Sequence, residues 1–406
     1  MVNEARQGGK LIVVDALPCE TGGGPVYLRN LFPALPLVTP DYHYKLLVSP
    51  KMREQLPAMP GNATIEVDIA PPVSSSVRAV WEQVCLPRWL RRVGADMLFS
   101  PFNIAPLRLK IPSLLTVHVN LTELRRFVPK HLSLKFHLKD RLVGTSARRA
   151  SRVIAVSGMV RDFLVSGWSI SPERIRVIYH ATAEHFKPGS REASRVWVAE
   201  RYGVRPSYVL MVADIYEHKN IMRVVEAFAG LPEVVRGSHD LVLAGRAVKP
   251  GYLEAVRGRA RELGLADHFH WVGMVRHEEL APLYQGAVVS ILPSLNETFG
   301  IPVAESMACG TPVVVSNIPA LSEVGGDAVL KFDPLDVEGM RGVLLRVMTE
   351  DSLRRSMQER GLKRASVFSP ANFVEKTHAV LEEVLSGAQV GGQGDGGVEA
   401  DRAGPV

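Results

Sequence analysis

The sequence predicts an α/β protein made of two parallel-sheet units, and three observations carry that expectation. Short, β-branched apolar runs recur along the chain with helical patterns between them, as expected of strands covered on both faces by crossover helices. The series runs twice, once on each side of a connector over 186–206. The chain has 406 residues, which at roughly 100–200 residues per domain suits two domains.

The first series starts with KLIVVDA (10–16) and continues through YKLLVS (44–49), DMLFS (96–100), SLLTVH (113–118) and RVIAVS (152–157). TGGGP (21–25) follows the first strand and opens a helical stretch, VYLRNLFPAL. Ser157, placed before GMVRDFLV, reads as a helix N-cap. The second series comprises YVLMVA (208–213), DLVLAG (240–245), HFHWVG (268–273), VVSILP (288–293) and TPVVVS (311–316). Helical stretches NIMRVVEAFAGL, GYLEAVRGRARELG and EELAPLYQGA fall between them. The connector 186–206 holds two Pro and several charges and can carry a short helix. The expected limits are 1–186 for the first unit and 206–370 for the second, with a terminal helix over 371–386 packing back onto the first. The last 20 residues, from Gly387, hold 7 Gly and no aromatic residue, and are expected to be a disordered tail without chemistry.

Composition removes several function classes. Apolar residues at 46% and charged residues at 22% suit a globular protein with a large core, against a mainly disordered, collagen-like or disulfide-stapled chain. Cys19, Cys85 and Cys309 are an odd number at wide spacing, so neither a disulfide framework nor a zinc site is expected. No stretch approaches the ~20 apolar residues of a membrane-spanning helix, and Leu11–Val14 is too short for a signal-peptide core; a cytoplasmic protein is expected. A net charge of +6 gives no support to nucleic-acid binding. The charge is uneven, however. Residues 78–180 hold 18 Lys/Arg against 6 Asp/Glu, leaving 30 against 36 elsewhere.

The most informative segment is PSLNETFGIPVAESMACGTPVVVS (293–316). Gly300 and Pro302 mark a turn into a helix that Gly310 ends. Glu305 falls about one turn into that helix and Glu297 in the loop before it, so both carboxylates can face one site. The backbone N–H groups from Phe299 to Val303, at a helix start, suit phosphate oxygens.

This segment resembles the E-x7-E signature of retaining glycosyltransferases of the GT-B fold, specifically family 4. The acid spacing, the F-G-I-P turn and the ESMACGTPVV continuation coincide, and the resemblance covers about 10–386. It implies two Rossmann-like α/β/α domains facing a central cleft, with the C-terminal helix crossing back. It also implies that Glu305 binds the ribose of a nucleotide-sugar donor, that Glu297 lies by the donor sugar, and that backbone at Phe299, Gly300 and Ile301 contacts sugar or phosphate. In YVLMVADIYEHKN (208–220), Lys219 matches the lysine that holds the diphosphate; Ala213, Asp214 and His218 depart from the family's glycine and arginines. His218 would supply a second charge only below its pKa. Gly23 and Gly24 match the glycine-rich first loop, where missing side chains admit donor and acceptor. His118 matches the strand-end histidine beside donor sugar and acceptor, although Val119 replaces the usual Asp. In VIYHATAEHFKP (177–188), His180-Ala181 replaces Asn-Gly. Arg246 stands where it can reach a phosphate, and Val275 near the base.

The resemblance therefore implies transfer of a sugar from a nucleoside-diphosphate sugar to an acceptor hydroxyl, with His118, Lys219 and Glu297 as catalytic residues. Glycan, lipid-linked or small-molecule acceptors all fit. An epimerase or phosphorylase of the same fold, or a non-catalytic nucleotide-sugar-binding scaffold, are the alternatives. No P-loop, intact G-x-G-x-x-G or D-x-D triplet is present, so no metal and no cofactor are expected. The basic region 78–180, richest over 124–152, is expected to touch anionic membrane or a lipid-phosphate acceptor.

Overall fold

A computed structural model describes residues 9–20, 23–67, 75–119 and 133–387. The expected disordered tail, beyond its first residue Gly387, and the basic residues 124–132 lie outside the described residues.

The first unit is a seven-stranded parallel sheet in the order β3-β2-β1-β4-β5-β6-β7. Its strands are β1 (Lys10–Asp15), β2 (Tyr42–Leu47), β3 (Ala63–Glu66), β4 (Met97–Ser100), β5 (Ser113–Val117), β6 (Arg152–Ala155) and β7 (Ile175–Val177). The second is a six-stranded parallel sheet in the order β10-β9-β8-β11-β12-β13. It comprises β8 (Tyr208–Val212), β9 (Asp240–Ala244), β10 (Phe269–Gly273), β11 (Val289–Leu292), β12 (Val313–Ser316) and β13 (Leu330–Phe332). Every residue of β4, β5, β9, β11 and β12 is buried, which is why these strands read as unbroken apolar runs. The sequence series did not include β3, β7 and β13. All three are sheet edges of three or four residues with polar side chains interleaved (ATIE, IRV, LKF).

Helices of seven residues or more cover both sheets. In the first unit they are α1 (Gly24–Leu31), α2 (Ser75–Val84), α3 (Leu86–Val93), α4 (Ser133–Arg149) and α5 (Gly158–Trp168). Next come α6 (Arg191–Tyr202), α7 (Ile221–Ala229), α8 (Pro250–Glu262), α9 (Leu280–Gly286), α10 (Ile301–Ala308) and α11 (Pro319–Gly325). The series ends with α12 (Val337–Thr349), α13 (Asp351–Ala365) and α14 (Pro370–Leu385).

Two helices settle how the units join. The connector carries α6, capped by Ser190, whose side-chain oxygen accepts the Ala193 N–H. Ser194 Oγ then donates to Gln285 Oε1 at 2.8 Å and Arg195 Nε to Gly286 O at 3.2 Å, so α6 packs with α9 of the second unit. At the other end, α14 returns to the first sheet. Phe373, Val374, Val380, Leu381 and Val384 bury themselves in the cluster containing Ile12, Val14, Tyr27 and Leu28. Glu383 anchors that helix from its outer side, 3.1 Å from Arg152 Nε and 2.9 Å from Arg176 Nη2. A further apolar cluster is continuous between the units, running from Leu115, Val117 and Val160 to Phe299, Val303, Met307 and Phe368.

Candidate active site

The loop between β11 and α10 is fixed by backbone geometry before any side chain acts. Gly300 has φ +98°, a conformation that residues with a Cβ rarely adopt, and a Cβ there would also lie 2.4 Å from Leu321 Cδ2, so the turn calls for glycine. Phe299, 2% exposed, packs against Tyr179, His180 and Phe368 with ring centroids 5.1–5.8 Å away. Its side chain is therefore the anchor of the loop. Gly310, at φ +74°, follows the last turn of α10 as expected. The row of open N–H groups is shorter than expected: Pro302 has none and Val303 N–H donates to Gly300 O at 2.9 Å.

The two glutamates take different partners. Glu297 Oε1 accepts from Lys219 Nζ at 2.5 Å and from Ser294 Oγ at 2.9 Å. Lys219 sits on a short 3-10 turn, Glu217–Lys219, between β8 and α7, so the two loops meet at the C-terminal ends of adjacent strands. That is where ligands bind in open α/β sheets. Glu305, 3% exposed, turns inward. Its Oε2 accepts from Tyr284 Oη at 3.0 Å, and its Oε1 lies 3.2 Å from His277 Nε2. A buried carboxylate so held has a fixed direction, with lone pairs left for a hydroxyl-bearing ligand. Tyr284 and His277 were not legible as site residues; nothing in their local sequence distinguishes them.

The departures from the family pattern prove to be structured. Asp214 holds Arg246 through Nε at 3.1 Å, through Nη2, and through the Arg246 backbone N–H at 3.2 Å. Arg246 is thus paired in this structure and would have to release Asp214 to reach a phosphate. His218 stacks on Tyr216, and burial pushes its pKa down to about 4. It is neutral near pH 7 and supplies no second charge there. Val275 lies half-buried after β10, next to the exposed Met274.

On the first unit, Gly23 faces Ile301: a Cβ on Gly23 would sit 3.4 Å from Ile301 Cδ1 and 3.9 Å from His180 Cε1. The glycine loop of one unit thus closes on the turn of the other. Gly24 opens α1 against Cys19, where a Cβ would meet backbone at 2.9 Å. His118 ends β5 with both ring nitrogens engaged. Its Nε2 lies 2.6 Å from Pro101 O, which requires the proton there, and its Nδ1 then accepts from His180 Nε2 at 3.3 Å. Tyr27 packs edge-on against both rings. Burial pushes the His118 pKa down to about 4, and lowers that of His180 as well. His180, the departure in the linker, is the partner that orients His118. The imidazole of His118 is a positioned, neutral group whose nitrogens both point into the protein.

Two contacts tie the units at this site. Ser157 Oγ accepts the Val160 N–H as the N-cap of α5 and donates to Thr298 O at 2.6 Å, inside the glutamate loop. Glu323, on α11, accepts the Gly158 and Met159 N–H groups at 2.6 and 3.1 Å, so a carboxylate of the second unit occupies the positive end of α5. Among the described residues, no group of three or more His, Cys, Asp or Glu side chains is arranged to hold a metal ion.

Comparison with known proteins places this geometry. The family described as "Glycosyltransferase Family 4" matches residues 21–183, and that described as "Glycosyl transferases group 1" matches residues 200–364. An O-antigen chain mannosyltransferase B from Escherichia coli is 31% identical over 251 residues, covering 60% of this chain and 65% of that protein. An MMP alpha-(1->4)-mannosyltransferase from Mycolicibacterium hassiacum is 29% identical, covering 59% and 56%. The chain therefore spans less than two thirds of the length of these relatives. A sucrose-phosphate synthase structure from Thermosynechococcus elongatus superposes with a TM-score of 0.76 at 18% identity, covering 93% of this chain and 100% of that one. An Anabaena protein crystallised with UDP and glucose does so at 0.72 and 17%, covering 92% and 100%. With one family match on each sheet unit and the same two-sheet architecture in its structural neighbours, the chain belongs to glycosyltransferase family 4 and has the GT-B fold.

Proposed function

We propose that this chain transfers a hexosyl group from a nucleoside-diphosphate sugar to an acceptor hydroxyl, retaining the configuration at the anomeric carbon and needing no metal ion. The observation that carries the reading is the Lys219–Glu297 pair at the strand ends, on the loop that leads into the helix of the buried Glu305 and whose Ile301 meets Gly23. In this reading the donor diphosphate replaces Glu297 as the partner of Lys219, and the start of α10 presents backbone N–H groups to it. Glu305, held by Tyr284 and His277, accepts from the ribose hydroxyls. Fixed positive charge at the departing phosphate is worth more in the transition state than in the ground state, because that is where negative charge accumulates. Retention follows from attack on the face the phosphate leaves, with the phosphate oxygen taking the acceptor proton. His118 supports this as a shaped wall of the sugar site and not as a proton carrier, both nitrogens being engaged.

Mannosyltransferase relatives make GDP-mannose the first donor to test, beside UDP-, ADP- and dTDP-sugars. A donor at about a hundredfold excess over Kd stabilises the folded protein by about 2.7 kcal/mol, enough to read as a thermal shift. Transfer to a panel of mannosides, followed by NMR of the anomeric proton with and without EDTA, checks the rest. Inversion, loss of turnover in EDTA, or donor binding without transfer would each overturn a stated part.

A further inference from the structure

We infer that the first unit carries a docking surface for anionic membrane, centred on a cavity between the α2–α3 corner and the loop 107–111. The cavity, about 310 Å³, is lined by Val84, Pro87, Leu90, Leu109 and Ile111 on its apolar side and by Arg88, Arg91, Arg108 and Lys110 around them. No acidic side chain lines it. All four cations are exposed, and among the described residues none of them pairs with a carboxylate. An apolar floor ringed by four uncompensated cations suits a ligand that is itself amphiphilic and negative.

The surroundings extend the same chemistry. Val77, Val80 and Val84 are 47%, 62% and 49% exposed. Their spacing of three and four residues on α2 puts them on one face. Cys85 and Arg92 are exposed beside them. The loop that closes the cavity is held on one side by Gln83, which bonds Ala105 O and Leu107 N, and on the other by α4 through Ser146 and Arg149. On α4, Leu134 and Leu138 are 72% and 62% exposed, one turn apart. Exposed valines next to arginines, as on α2 and α3, are the composition of a surface that dips into the headgroup layer. A soluble anion alone would leave those apolar side chains in water. The site therefore commits to a bilayer, and it lies in α2, α3 and the 107–111 loop, toward the front of the basic region.

Flotation of the full chain with vesicles of phosphatidylcholine and phosphatidylglycerol in equal parts tests this. The chain floats at low salt, stays in solution with pure phosphatidylcholine, and is released at high salt. The R88Q/R91Q/R108Q/K110Q variant loses at least about tenfold in partitioning. Val80→Asp weakens binding with the cations intact. Both variants keep the thermal shift given by the nucleotide donor, which shows them folded. Failure of the wild type to float, equal flotation of the quadruple variant, or equal binding to pure phosphatidylcholine overturns the assignment. So does dimerisation that buries Val80, or binding of inorganic phosphate without vesicles.

Discussion

Along the second unit and the connector helix packed on it, cations at or near the surface face carboxylates: Arg201 with Glu279, Arg246 with Asp214, Lys249 with Glu217, Arg259 with Glu226. Around the α2–α3 corner of the first unit, Arg88, Arg91, Arg108 and Lys110 face none among the described residues. Its interior repeats the mismatch. Asp15, at the end of β1, and Glu82, on α2, are buried with Arg78 as the nearby cation, and both Asp15 oxygens lack a well-formed hydrogen bond. Exposed ion pairs add little stability, so the contrast is not about holding the fold. It separates a site assembled with its counter-charges in place from a corner whose cations have no counter-charge among the described residues.

The largest effect should come from the pair at the assembled site. Lys219→Ala removes the cation that Glu297 holds in reserve for the donor. We expect kcat to fall by about 10²–10³, or roughly 2.7–4 kcal/mol, as for loss of one oxyanion donor in other enzymes. The melting temperature should change little, because the pair lies at the opening and not in the core. Lys219→Arg should recover part of the rate. A loss below about fivefold, read by steady-state turnover of the preferred donor, would mean that Glu297 and Lys219 are merely a surface pair, and the contrast between the halves would fail.

The next effect is a pH dependence at the boundary between the units. Burial holds the His118 pKa down at about 4 and lowers that of His180 too, while an unfolded chain titrates its histidines near 6.5. The unfolded state therefore takes up protons first, and stability is lost as pH falls from about 6.5 toward 4, with none lost above 6.5. For His118 the loss is on the order of 2–3 kcal/mol. His118→Gln, which can still donate to Pro101 O, should flatten the curve of urea midpoint against pH in that window. Parallel curves for variant and wild type would show that the ring is not held neutral.

What was legible in the sequence follows the same physical division. Strands buried on both faces announce themselves as apolar runs, whereas β3, β7 and β13 are short edges with one polar face and do not. The E-x7-E loop was legible because Gly300, Pro302 and Gly310 each impose backbone geometry at a fixed spacing. Its partners were not. Tyr284 and His277 reach Glu305 from α9 and the turn before it, and His180 reaches His118 from 62 residues away, contacts that only the folded sheets create. The departures at Asp214 and His180 looked like losses in the linear sequence. In space each has a partner, Arg246 and His118.

A smaller effect tests whether the units act as one body at the site. Glu323→Ala leaves the first N–H groups of α5 without their carboxylate, at a cost of about 1–2 kcal/mol. Hydrogen exchange should show faster opening at Gly158, Met159 and Val160, and at the Thr298–Ile301 turn that Ser157 holds. Glu323→Gln, which keeps an acceptor without the charge, should fall between. Faster exchange confined to α5 would mean that the two contacts are independent and the glutamate loop owes nothing to the first unit.

The smallest expected change bears most directly on the unmatched interior. Burial pushes the carboxyls of both Asp15 and Glu82 upward, and Asp15 raises Glu82 further; the Leu17 backbone lowers Asp15, and Arg78 pulls both the other way. Acids raised on folding keep protons that the unfolded chain releases, so their cost is absent in acid and grows as pH rises above the ordinary carboxylate range. Glu82→Gln keeps the volume and an acceptor for Arg78 while removing one of the two mutually repelling acids. Relative to wild type, the variant should gain stability as pH rises from 4 to 8, by up to about 1 kcal/mol, read from urea midpoints. If it is less stable at pH 8, the Arg78–Glu82 pair is a net support and the first unit is as well matched inside as the second. If it is more stable, two buried acids sit beside α2 at a cost to the fold, and their retention must be explained by what that corner binds.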